Sequence, residues 1–145
     1  MRLDNGSYSA QVQRLAALAK QVRIDGQLLW EQSWVRQKLA QFAIESEALK
    51  YTAQRNLTRQ LRGQPPGPEG SMLKLCGSEL GVRIANFATE MLGSYALLEN
   101  PSEVVPDAPR WLNRALSARQ YTIAGGTSEI QHNIMGERVL GLPKG

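Results

Sequence analysis

Eight residues near the middle of the chain, Gly63-Gln64-Pro65-Pro66-Gly67-Pro68-Glu69-Gly70, cannot continue a helix, yet the sequence on both sides of them is helical in pattern. Proline has no backbone N–H to donate, and its ring collides with the preceding turn. Ahead of the block, Val35, Leu39, Phe42, Ser46, Leu49, Ala53, Leu57 and Leu61 recur at three- and four-residue spacing. That is one stripe of a helix running from Ser33, a plausible N-cap, to about Arg62. Behind it, Leu73, Cys76, Leu80, Ile84, Phe87, Met91 and Tyr95 predict a second helix from Ser71 to roughly Leu98. The chain therefore doubles back on itself as two long antiparallel helices.

Shorter partners flank this pair. Tyr8, Val12, Leu15, Leu18, Ala19 and Val22 form a stripe on a first helix, with Ser7 as its N-cap, and Asp25-Gly26 then marks a turn. The proline-containing loop from Asn100 to Pro109 precedes a helix from Arg110 to about Thr122. Ala124-Gly125-Gly126 interrupts it, and a last helix starts at Thr127 or Ser128 and fades before Gly141-Leu142-Pro143. Two-residue alternation is absent, so no strand is expected. The reading is all-α: an up-and-down four-helix bundle with a broken last helix, one domain over residues 1–145.

Hydrophobic residues at 42% and charged residues at 21% place the chain among globular domains. The net charge is +4, but Arg14, Lys20, Arg23, Arg36, Lys38, Lys50, Arg55, Arg59 and Arg62 are scattered and no aromatics interleave with them, so no nucleic-acid surface is expected. No apolar run reaches membrane-spanning length, and the polar start after Met1 lacks a secretory h-region. Cys76 is the only cysteine, which excludes an intrachain disulfide and leaves no Cys/His set for zinc. Its place in the apolar stripe predicts a buried, inert thiol. A cytoplasmic protein is the expectation.

Chemistry concentrates in Tyr121-Thr122-Ile123-Ala124-Gly125-Gly126-Thr127-Ser128-Glu129-Ile130-Gln131-His132-Asn133-Ile134. Two glycines precede a helix start, and Ser128 with Gln131 has the spacing of a capping box. Free N–H groups at such a start attract an oxyanion or a hydroxyl-rich ligand, and glycine lets a ligand approach the backbone closely. An ordinary kinked corner between two helices has the same spacing. From spacing alone that ordinary corner is the commoner outcome, although retaining two glycines costs helix propensity unless a ligand must approach. His132 reads as a surface side chain.

Ile123-Ala124-Gly125-Gly126-Thr127-Ser128-Glu129-Ile130-Gln131, followed by Gly136-Glu137-Arg138-Val139-Leu140-Gly141-Leu142-Pro143, closely resembles the closing signature of acyl-CoA dehydrogenases, in the bacterial branch that often ends in Leu-Gly-Leu-Pro. Weaker likeness extends through Val35-Arg36-Gln37-Lys38-Leu39-Ala40, through Gly67-Pro68-Glu69-Gly70-Ser71 with Lys74-Leu75, and through Glu90-Met91-Leu92-Gly93-Ser94. Gly26-Gln27-Leu28-Leu29 resembles the tail of the family's Arg-x-x-Phe-Gly-x-x-Leu segment, with Arg23 close to the arginine. The resemblance implies FAD as cofactor, an acyl-CoA thioester as substrate and dehydrogenation to the 2-enoyl-CoA. A mild positive charge suits such polyphosphate ligands as readily as nucleic acid.

By the same resemblance Thr127, Ser128 and Glu129 match flavin-contacting residues. Gly125 and Gly126 match the substrate-facing backbone, the Gly125 N–H being the donor that polarises the thioester carbonyl. Arg23, Gln32, Glu90 and Ser94 fall at or near positions where a neighbouring subunit contacts the FAD pyrophosphate and adenosine, so a homo- or hetero-oligomer is implied. The residue before Gly-Thr is often the family's catalytic glutamate; here it is Gly125, and His132 stands where arginine is common. In other branches the base lies on an earlier helix, ahead of this sequence, so no catalytic base is expected in the chain. The family's N-terminal helical and β domains have no counterpart here, which implies a fragment inactive alone. The alternative is a non-catalytic helical interaction module or partner subunit.

Overall fold

The computed structural model describes residues 5–65 and 67–144. Helix α1 spans Asn5–Ala19, α2 Ser33–Leu61, α3 Glu69–Leu92, α4 Ala108–Ala118, α5 Gln120–Ile123 and α6 Ser128–Arg138. Two-residue strands β1 (Arg23–Ile24) and β2 (Gln27–Leu28) pair antiparallel between α1 and α2. The domain is an all-α bundle in which α3 is the central helix, packed by α1, α2, α4 and α6, and the chain after α4 is broken into short helices.

The core follows the three stripes. Leu15, Val35, Phe42, Leu80, Ile84, Phe87 and Trp111 are almost wholly removed from water. Phe87 makes edge-type contacts with two rings, Phe42 at 5.5 Å and Trp34 at 5.7 Å between centroids, the T-shaped geometry that aromatic quadrupoles favour. The half-buried Tyr8 ring lies against Gly77 and Gly81, whose missing side chains leave it room; a Cβ at Gly81 would stand 3.2 Å from the Tyr8 ring.

Several boundaries depart from the sequence expectation. α1 already runs from Asn5, so Ser7 lies inside it, and α2 is capped by Gln32 with Ser33 its first residue. The expectation of no strand fails at Asp25-Gly26. Asp25 (φ 51°) and Gly26 (φ 78°) both adopt the left-handed region, as a type I′ hairpin turn requires. Ile24 then pairs Gln27, and Leu29 N–H donates to Val22 C=O at 3.0 Å. α3 begins at Glu69 rather than Ser71 and stops at Leu92 rather than Leu98. Gly93 (φ 55°) ends it, and residues Gly93–Leu97 tighten into a 3-10 turn. α4 starts at Ala108, two residues ahead of Arg110, with Pro109 in its first turn where no N–H is needed.

Cys76 is exposed, contrary to the stripe that included it. Because α3 is packed on several sides, its buried arc widens to Leu75, Ser78, Ala85, Ala88 and Leu92, and Cys76 falls at the edge of that arc. Its thiol stays protonated above its ordinary range, chiefly through desolvation. The α2 stripe also ends early: no residue after Leu49 is buried, and Leu57 and Leu61 face outward. Among the described residues no helix is long and apolar enough to cross a membrane.

Candidate functional site

The corner between α5 and α6 is built on two glycines in conformations that other residues rarely adopt. Gly125 has φ 73° and Gly126 φ 98°, so the chain reverses within two residues. Thr127 then takes extended backbone and caps α6, its Oγ1 accepting from Ile130 N–H at 3.4 Å. The capping box expected between Ser128 and Gln131 does not form, since the cap lies one residue earlier. Gln131, only 5% exposed, instead turns its amide under the glycines. Its Nε2 donates to the Gly125 carbonyl at 3.1 Å and reaches the Gly126 carbonyl at 3.5 Å. A second donor comes from α3: the half-buried Lys74 gives its ammonium to the Gly126 carbonyl.

Both glycine carbonyls are therefore held toward the bundle. No hydrogen bond from the N–H of Gly125, Gly126 or Thr127 forms among the described residues. Gly125 is exposed, and the hydroxyl residues Thr127 and Ser128 beside it are half-buried. Glu129 is exposed in the first turn of α6, and its carboxyl is held below the ordinary range first by its own backbone N–H and then by the Thr127 hydroxyl. A carboxylate so stabilised, at the positive end of a helix dipole, is a poor proton acceptor. His132 is exposed.

The remaining candidate residues lie elsewhere. Arg23 is exposed in the hairpin and donates to the Gly26 carbonyl at 3.1 Å. Gln32 occupies the N-cap position of α2 without a side-chain cap, and its Nε2 donates to Gln27 Oε1. Glu90 in the last turn of α3 and Ser94 just beyond it are exposed. Trp34 on the first turn of α2 touches Phe87, which places the hairpin and Glu90 at the same end of the bundle. Lys74, by contrast, marks the end at which the glycine corner sits. A helical rise of roughly 1.5 Å per residue puts Glu90 about 24 Å further along α3 than Lys74. The nine candidates thus form two groups, Gly125 to Glu129 at one end and Arg23, Gln32, Glu90 and Ser94 toward the other.

Two side-chain contacts escape a reading of the sequence. Lys74 reaches a carbonyl 52 residues away, and the only signal is a lysine set between Leu73 and Leu75 in α3. Arg36 closes the 3-10 turn before α2, its Nη1 donating at 2.8 Å to the carbonyls of both Trp30 and Glu31.

The chain is similar to known proteins in sequence and in fold. The family model described as acyl-CoA dehydrogenase, C-terminal domain, matches residues 5–140. The acyl-CoA dehydrogenase FadE26 of Mycobacterium tuberculosis is 30% identical over 124 residues, covering 82% of this chain and 30% of that protein. FadE34 of the same organism is 35% identical over 82 residues, 57% of this chain and 10% of its own. A crystal structure of the ChsE4–ChsE5 complex from Mycobacterium tuberculosis superposes with a TM-score of 0.83 at 25% identity, over 99% of this chain and 37% of the matched one. Butyryl-CoA dehydrogenase from Megasphaera elsdenii shares the fold, with a TM-score of 0.74 at 22% identity over 94% of this chain and 33% of its own. The chain spans about a third or less of the length of each of these relatives.

Proposed function

Because the chain belongs to the acyl-CoA dehydrogenase family, as its C-terminal domain, we propose that it supplies one wall of a composite FAD and acyl-CoA site and part of an oligomer interface. The observation that carries this reading is the corner at Gly125-Gly126: positive-φ glycines with both carbonyls tied inward and three N–H groups that donate to no acceptor among the described residues. Packing between helices has no use for such a surface. A ligand bearing acceptor oxygens does, and the hydroxyls of Thr127 and Ser128 extend it.

FAD, when bound, supplies the hydride acceptor for oxidation of an acyl-CoA between its α and β carbons. The residues of this chain bind and polarise. Thr127, Ser128 and Glu129 line the flavin side of the corner, and the Gly125 N–H donates to the thioester carbonyl oxygen. A fixed donor there stabilises the negative charge that develops on that oxygen as the α-proton leaves, the logic of an oxyanion hole. Gly125 brings no carboxylate, and Glu129 is engaged at the helix start, so the base that takes the α-proton comes from another polypeptide segment or a partner.

The division of the candidates between two ends of the bundle supports an oligomeric site. Arg23, Gln32, Glu90 and Ser94 then contact the FAD of a neighbouring subunit, a homo- or hetero-oligomer being compatible with this. A cytoplasmic setting, where a lone free thiol stays reduced, goes with the reading. The test is flavin retention by the assembled protein. Gly126→Leu should release FAD while circular dichroism still reports a helical bundle. Flavin content and turnover equal to wild type would remove the corner from the site.

A further inference from the structure

We infer that Lys74 is a positioning residue for the acceptor-binding corner, acting on the ligand through the Gly126–Thr127 peptide; this rests on the reading that the corner faces FAD and the thioester. Every peptide bond described here is trans, so each N–H points opposite to the carbonyl of its own unit. In the Gly125–Gly126 unit the carbonyl accepts from Gln131, and the N–H belongs to Gly126. In the Gly126–Thr127 unit the carbonyl accepts from Lys74, and the N–H belongs to Thr127. Two inward donors thus aim two N–H groups outward.

Their contributions differ. Gln131 is local to the corner, on the second turn of α6, and it is neutral. Lys74 comes from α3, the central helix, and brings a full charge. A hydrogen bond to an ionised donor is stronger than a neutral one, and it polarises the peptide it meets. The Thr127 N–H becomes a better donor at the moment its direction is fixed. At φ 98°, Gly126 has no side chain to restrict its backbone, and Gln131 reaches its carbonyl only at 3.5 Å, so without Lys74 the unit is held by one long, neutral contact. A lysine on the bundle side of the corner thereby decides what the ligand side presents, without touching the ligand.

The test follows one peptide unit by two routes. In isotopically labelled protein, the Gly126 carbonyl carbon, assigned through its covalent correlation with the Thr127 N–H, has a chemical shift that responds to the hydrogen bond the carbonyl accepts. Lys74→Met should move that carbonyl upfield and leave Gly125 nearly in place, with Lys74→Arg restoring most of the shift. In the assembled holoprotein, Lys74→Met should weaken FAD binding about tenfold, the scale of one charge-assisted hydrogen bond, and Lys74→Arg should recover it. Lys50→Met serves as a control for charge, since Lys50 pairs with Glu47 on α2. An unmoved Gly126 carbonyl, or an FAD affinity within twofold of wild type in Lys74→Met, overturns the proposal. If Lys74→Met fails to fold, loss of FAD affinity in a folded Lys74→Arg with an unmoved carbonyl does the same. Wild-type assembled protein that binds no flavin overturns the reading of the corner itself, an outcome recognisable because the carbonyl shift still responds to Lys74.

Discussion

Replacing Gly126 by alanine tests the corner with the smallest possible change. The new Cβ would stand 2.6 Å from Gln131 Nε2, and the backbone at φ 98° lies outside the region that side chains tolerate. The backbone strain costs roughly 1–2 kcal/mol. The Gln131 amide, at the end of a flexible side chain, can swing away, but it is buried and surrenders its bond to the Gly125 carbonyl, about 1 kcal/mol. The stiffer unfolded chain offsets roughly 0.4–1 kcal/mol. The net expectation is a loss of about 2 kcal/mol, or a fall of about 4–8 °C in melting temperature for a domain of this size. A double-mutant cycle separates the causes. In a Gln131→Ala background the clash is gone and only the strain persists, so the two substitutions should couple by about 1 kcal/mol. Chemical denaturation of the four proteins gives each value. A Gly126→Ala cost below about 0.5 kcal/mol, or an identical cost in both backgrounds, would refute the packing described for the corner.

Further outcomes follow from the bundle. Phe42→Ala removes a fully buried ring and its contact with Phe87, and should cost about 3–5 kcal/mol in urea unfolding. Glu45 is held below its usual range mainly by hydrogen bonding to Arg83, so its contribution is present above the unfolded carboxylate pKa and is lost as pH falls through the lower folded value. Both side chains are partly exposed. Glu45→Gln should therefore cost less than about 1 kcal/mol at neutral pH, and the difference from wild type should vanish in acid and shrink in high salt. Gly81→Leu fills the seat of the Tyr8 ring. The Tyr8 phenol, raised chiefly by burial, should then titrate closer to an ordinary tyrosine in an ultraviolet pH titration.

The helices were legible because apolar side chains recur at helical spacing wherever one face is buried. Spacing and burial part company where packing departs from one face. α3 meets neighbours on several sides, so its stripe located Leu80, Ile84, Phe87 and Met91 but misplaced Cys76. α2 outruns its neighbours, so the same spacing that buried Val35 and Leu39 left Leu57 and Leu61 in water. The hairpin was announced by Asp-Gly, but two-residue strands are too short to show an alternation. The corner was legible as Gly-Gly-Thr-Ser, since backbone freedom and capping are written locally. What holds it was not: the partner of the Gly126 carbonyl sits on another helix, and Gln131 serves the glycines rather than Ser128. Folding alone brings those groups together.

The unsheltered end of α2 has a thermal consequence. A helix segment whose tertiary contacts are few is held mainly by its own hydrogen bonds, and an isolated stretch of that length is marginal in water. Amide exchange along α2 should therefore be slow from Val35 to Leu49 and quicken toward Leu61, in a gradient set by neighbours rather than by sequence. Anything that covers Leu57 and Leu61 flattens that gradient. The slope of exchange along one helix becomes a gauge of how far the domain has found its surroundings, readable before any flavin is added.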